Sequence, residues 1–173
     1  MIQPDSCLSP AGCRHGESHY FIGAGDWMTV TVRDAVPADA DRIAMLLTQL
    51  GYPATGSEVA GRLRYWLDDP FSRVLVADSA GHVVGCLSIH AVPYLEKTGR
   101  WARIESLVVD TAARRTGTGY LLVAAAEDTA RGWGCLAVEV TSARSRPEAH
   151  PFYRRLGFTD RCSQATRYWE TLS

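Results

Sequence analysis

The stretch Ala113–Tyr120 reads ARRTGTGY, and its setting decides the fold. Ahead of it lies RIESLVVD (Arg103–Asp110), a strand-like run. Behind it lies LLVAAAEDTAR (Leu121–Arg131), with Leu121, Leu122, Ala125, Ala126 and Ala130 on one helical side and Glu127 and Arg131 as an i,i+4 pair on the other. A loop that feeds a helix N-terminus presents main-chain N–H groups without partners. The helix dipole adds about half a positive charge there. Glycines let a ligand approach the backbone closely. Such a loop is an anion cradle, most naturally for phosphate, and Arg114 and Arg115 add positive charge.

The nucleotide-binding versions of this device do not fit. A P-loop needs a lysine after its last glycine, and Tyr120 follows Gly119. A dinucleotide fingerprint needs a third glycine where Leu122 stands. By itself, Gly-Thr-Gly between a strand and a helix is equally a tight β–α connection.

Toward the N-terminus, TVTVR (Thr29–Arg33) alternates as a strand does. Ile43, Leu46, Leu47 and Leu50 follow at helical spacing, stopped by Gly51 and Pro53, with Asp39 and Asp41 in the first turn. A second helix is expected from Ser57-Glu58 to Asp68-Asp69-Pro70, its apolar surface from Val59, Leu63, Tyr65, Trp66 and Leu67. RVLVAD (Arg73–Asp78) and VVGCLSIHA (Val83–Ala91) flank Ser79–His82, a hairpin turn. Toward the C-terminus, LAVEVT (Leu136–Thr141) is another strand. Ser145 and Glu148 form a capping box for a helix that carries Ala149, Phe152, Tyr153 and Leu156 and ends at Gly157. Final strands are expected over Phe158–Cys162 and Thr166–Leu172.

The element order implies an α/β mixed sheet, mostly antiparallel, with helices on both faces and one parallel strand–helix–strand crossover. Residues 28–173 form a single domain; residues 1–27 lack periodicity, are rich in Gly and Pro, and read as a flexible N-terminal extension. A net charge of −1 argues against a nucleic-acid binder. No apolar run is long enough to span a membrane, and no secretory signal is evident, so a cytoplasmic protein is expected. Five dispersed cysteines without a CxxC pair read as reduced thiols, and no metal site is expected.

One combination is specific. Arg114, Gly117 and Gly119 fit R-x-x-G-x-G after a strand ending LVVD, and about thirty residues on a helix carries FYRRLGF (Phe152–Phe158). Together, ESLVVDTAARRTGTG and RPEAHPFYRRLGF resemble the GCN5-related N-acetyltransferase (GNAT) superfamily, from about Met28 onward. The resemblance implies the GNAT fold and acetyl-CoA as cosubstrate. It implies that Arg114, Arg115, Thr116, Gly117, Thr118, Gly119 and Tyr120 hold the pyrophosphate. It assigns the backbone of Leu107, Val108 and Val109 to the pantetheine arm. Where many members carry asparagine, this chain has Arg146, which is not assigned that role.

Aminolysis of a thioester needs a neutral amine, and a lysine-like amine is only about 0.1% neutral at pH 7.4. Glu105, two residues before Leu107, matches a glutamate common in the family and is the candidate base; its alternative is a surface glutamate paired with Arg103. Tyr153 matches the family's tyrosine on this helix and is the candidate general acid at the sulfur; its alternative is a core aromatic. His90 and His150 are weaker alternatives as base. Tyr52 and Trp66 are candidate walls for the acceptor. The expected activity is direct acetyl transfer to a primary amine of a small molecule. A protein or peptide amine, or a non-catalytic acyl-CoA sensor, remain alternatives, and a homodimer stays open.

Overall fold

The alternating run predicted to open the domain becomes a strand whose sheet is built almost wholly from neighbours in sequence. The computed structural model describes residues 18–20, 30–164 and 168–172. Its elements are β1 (Ser18–Tyr20), β2 (Val30–Asp34), α1 (Ala40–Leu50), α2 (Gly56–Asp68), β3 (Ser72–Ser79), β4 (His82–Pro93), β5 (Arg100–Val109), α3 (Thr118–Gly132), β6 (Cys135–Val140) and α4 (Ala149–Arg155). The strands lie in the order β1 to β6 in one sheet. Pairs from β1 to β5 are antiparallel. The α3 crossover makes β5 and β6 the parallel pair. Three residues of the N-terminal segment, Ser18–Tyr20, pair with Val30–Val32 as the edge strand; the rest of that segment lies outside the described residues.

Contacts divide the chain into two compact units, Met1–Glu139 and Val140–Ser173. In the first, period-two alternation sorts the sheet's faces. Val76 stands opposite Cys86, and Cys86 opposite Val108. These side chains join Ile43, Ala44 and Leu46 of α1 and Val59 and Leu63 of α2 in one core. The next residue along β4, Gly85, faces the other way: a Cβ there would sit 3.0 Å from Leu122 Cδ1 and 3.4 Å from Thr118 Cγ2, both on α3. Helices therefore cover both faces, and the glycine allows α3 to approach.

Local signals explain the ends. Gly51 closes α1 at φ 96°, a left-handed value that glycine adopts without strain. Thr55 and Glu58 form a capping box for α2, one residue earlier than predicted. The Ser79–His82 turn has Ala80 and Gly81 at φ 50° and 84°, the paired left-handed residues of a two-residue hairpin.

In the second unit two expectations fail. α4 starts at Ala149 with Glu148 as its N-cap, so Ser145 does not cap it. Backbone bonds from Arg146 N to Ala143 O and from Ala149 N to Arg146 O turn the chain instead. Among the described residues, 158–164 and 168–172 carry no strand. β propensity is expressed only where a neighbouring strand supplies ladder partners and a surface to pack on, and Tyr168, Trp169 and Leu172 are exposed.

Candidate active site

β5 leaves the sheet through Asp110, and a single turn of 3₁₀ helix (Thr111–Ala113) leads to α3. Two residues of the connection take left-handed backbone, Arg115 at φ 66° and Gly117 at φ 89°. For Gly117, the N-cap of α3, this costs nothing; for Arg115 it is an uncommon, strained state. Leu121 is the first α3 residue whose N–H bonds back to the loop, at Gly117 O. The preceding N–H groups face the position where the helix dipole favours an anion. Arg114 folds back, its Nε donating to Val109 O. Thr116 Oγ1 donates to Ala113 O and is 2.9 Å from Thr118 Oγ1. The loop residues predicted for a pyrophosphate thus share one short β–α connection at the N-terminus of α3.

The cradle is braced from behind by residues that no motif announced. Arg42 of α1 donates through Nε to Val83 O and through Nη2 to Asp110 Oδ2. Gln49, two turns along α1, donates to Asp110 Oδ2 and accepts from Thr111 N–H. Asp110 Oδ1 accepts from Ala112 N–H. The Ala112 N–H foremost, with the Arg42 guanidinium, holds the Asp110 carboxyl below the usual carboxylate range. The signal in sequence was the i,i+7 spacing of Arg42 and Gln49 on one helix face, which has meaning only once Asp110 lies beside it.

Glu105 occupies a special backbone position. Ser88 pairs with Ser106 and Ile89 with Ile104, so Glu105 is the extra residue of a β-bulge. A bulge bends the strand and re-aims the side chain at that point. The carboxylate accepts from Arg103 Nε at 2.7 Å, the pairing foreseen as its alternative role. Arg103 also bonds Glu139 of β6 at 3.2 Å. On the other side stands His90, its Nε2 3.8 Å from Glu105 Oε1 and its ring 6.0 Å from that of Trp66 on α2. Ser88 and Ser106 share a 2.7 Å hydrogen bond beside the bulge. Leu107–Val109 run on toward the loop, with Val108 buried in the α1–α2 core and Leu107 and Val109 half-buried.

In the second unit Tyr153 lies edge-on to Phe152 and Phe158, at 5.2 and 5.7 Å between ring centres. Burial pushes its phenol above the ordinary range, with Arg146 pulling the other way. The group therefore keeps its proton at neutral pH, as a donor must. His150 Nε2 lies 3.3 Å from Ala143 O, and the ring interacts electrostatically with Asp160. Tyr52 is exposed. The free thiols among the described residues are Cys86, Cys135 and Cys162; burial pushes Cys86 up to about 12, which leaves it inert. No described helix is long and apolar enough to cross a membrane.

Residues 42–158 match the model of the acetyltransferase (GNAT) family. An aminoalkylphosphonate N-acetyltransferase of Salmonella typhimurium is 31% identical over 132 residues, 73% of this chain and 83% of that one. A glucosamine 6-phosphate N-acetyltransferase of Oryza sativa subsp. japonica is 34% identical over 76 residues, 44% of each chain. The crystal structure of a transcriptional regulator from Bacillus halodurans C-125 superposes with a TM-score of 0.72 at 25% identity, covering 83% of this chain and 99% of its own.

Proposed function

The chain belongs to the GNAT acetyltransferase family, and on that premise we propose that it moves the acetyl group of acetyl-CoA directly onto a primary amine of a small molecule. The observation that carries the cosubstrate is the cradle from Arg114 to Tyr120. Its two left-handed residues, open helix N-terminus and two arginines suit a pyrophosphate, whose charge this chain has no lysine-bearing P-loop to hold. Acetyl-CoA supplies the activated acyl group and the thiolate leaving group. The main chain of Leu107–Val109 is the segment along which its arm would lie. The domain runs from residue 28 onward in this reading, with Ser18–Tyr20 of the preceding segment added as an edge strand.

The protein's own residues then handle protons. An amine with an ordinary ammonium pKa must lose a proton about 3 units against the gradient at pH 7.4, roughly 4 kcal/mol. Glu105 is the acceptor of that proton, held in place by Arg103, which Glu139 anchors in turn. Tyr153, kept protonated by burial, supplies the proton that the thiolate takes. The relatives named above act on amines that carry a phosphonate or a phosphate, so 2-aminoethylphosphonate and glucosamine 6-phosphate are the first acceptors to try.

The test has two stages. Acetyl-CoA at about 100 times its Kd stabilises by about 2.7 kcal/mol, a rise in Tm of about 5–10 °C. No rise defeats the reading. Thiol release is then followed over a panel of the two named amines, simple alkylamines and lysine peptides. Turnover of the small amines is expected; turnover confined to peptides would reassign the acceptor, and binding without turnover would make the chain an acyl-CoA sensor.

A further inference from the structure

His90 stands where no motif placed a functional group, and three observations bear on it. The Glu105 carboxylate lies 3.8 Å from its Nε2, a gap that one bridging water or a small rotamer change closes. Trp66 packs obliquely against the ring, fixing its plane. Its side chain keeps about 29% of its surface exposed, so a proton on the ring has a way out to water.

The ladder explains why the contact exists. His90 pairs across it with Arg103, and Ser88 with Ser106. Arg103 and Glu105 stand two residues apart and share one face of β5, the face on which His90 meets Arg103. Glu105, the extra residue of the bulge, therefore stands within reach of both Arg103 and His90. Three further groups shape the field. Asp69, at the end of α2, interacts electrostatically with His90 and Arg73, and accepts from Ser72 Oγ of β3, the ladder partner of His90. Glu139 of β6 acts through Arg103.

We propose that His90 is the second station of a proton relay, receiving from Glu105 the proton taken from the acceptor ammonium; the proposal rests on the reading of Glu105 as base. The ammonium N–H bond breaks and its proton goes to Glu105. The carboxyl passes that proton to the neutral Nε2 of His90, and the Nδ1 proton leaves to water. The freed amine lone pair forms the new C–N bond as the C–S bond of acetyl-CoA breaks. Tyr153 gives its phenolic proton to the departing thiolate, and the second proton lost by the nitrogen restores the phenol. The balance is ammonium plus acetyl-CoA giving acetamide, CoA thiol and one proton released. A carboxylate is a poor resting place for a proton near neutral pH, and an imidazole is a good one. The relay therefore resets Glu105 within each turnover.

The first measurement needs no turnover. The imidazole resonances of His90 are titrated by NMR in the wild type and in Glu105→Gln. Loss of the facing carboxylate is expected to move the His90 midpoint. An unchanged midpoint overturns the relay. The second uses acetyl-CoA and 2-aminoethylphosphonate. His90→Gln is expected to lower kcat about 10- to 100-fold, with acetyl-CoA affinity and Tm kept, and to displace the rising limb of the pH profile. His90→Ala is expected to regain rate with added imidazole, which a merely structural histidine would not show. If Glu105→Gln is slow while His90→Gln matches the wild type, the relay falls and the base assignment stands. If both match the wild type, the base assignment falls and takes the relay with it. If the amine is not turned over, the midpoint comparison alone decides.

Discussion

Replacing Arg42 with methionine tests whether the cradle depends on the brace behind it. The change removes two charge-assisted hydrogen bonds, to Val83 O and to Asp110 Oδ2, and keeps most of the side chain's apolar volume. Each such bond contributes about 1.5–3 kcal/mol when fully formed. The pair is partly solvated, with side-chain exposures of 31% and 14%, and Asp110 retains Ala112 N–H and Gln49 as donors. The loss is therefore about 2 kcal/mol in total, a fall in Tm of about 4–8 °C. The start of the cradle then moves more freely, and acetyl-CoA affinity should fall about 3- to 10-fold by calorimetry, with kcat at saturation within about twofold. The pH dependence carries a sign. Asp110 has a lowered folded pKa, so its contribution is complete above the ordinary aspartate range near 4 and is lost as pH falls through the lower folded value. The difference in Tm between wild type and Arg42→Met should hold from pH 5 to 8 and shrink below about pH 4. A difference as large at pH 3 as at pH 7, or unaltered acetyl-CoA affinity, would refute the brace.

Three further substitutions probe the same machinery. Gly85→Val should cost about 2–3 kcal/mol in urea unfolding and weaken acetyl-CoA binding, because even a Cβ there meets Leu122, Val108 O and Thr118 in the first turns of α3 and beside it. Gly117→Ala should cost about 1–2 kcal/mol from its φ of 89°, and should lower acetyl-CoA affinity more than it lowers stability. Tyr153→Phe should cut kcat by about 10- to 100-fold while leaving acetyl-CoA Kd within twofold; an unchanged kcat would remove Tyr153 from the chemistry.

The parts of this protein that could be read in advance are those whose cause is local. Alternation in β2, the helical stripe of α1, the Gly51 stop and the Ser79–His82 turn each depend on a few consecutive residues, and each stands where expected. The strand–loop–helix connection was legible for the same reason, since Gly117 and the helix after it lie within one short stretch. The predicted C-terminal strands were not supported by anything local: a strand exists only by bonding to another, and FTDRC offers little apolar alternation to hold one in place.

The site's chemistry depends on what local reading could not supply. Glu105 and Arg103 stand two residues apart, so their pairing is visible in sequence, and it argues for a plain surface ion pair. The ladder changes that meaning. One unpaired residue between Ile104 and Ser106 turns an ordinary strand position into a bent one, and the pairing of Arg103 with His90 across the ladder sets the same carboxylate beside a histidine that no motif marks. No residue in ARIES requires a bulge; it follows from how β4 and β5 must register to pair Cys86 with Val108 at one end and Ala91 with Ala102 at the other. The same holds for Arg42, whose partner Asp110 lies 68 residues away. A functional side chain in this fold is therefore recognised by its motif only where its partner is the backbone next to it. Where the partner is another side chain, the sheet register decides, and substitutions that shift register without touching either residue should disturb Glu105 as surely as replacing it.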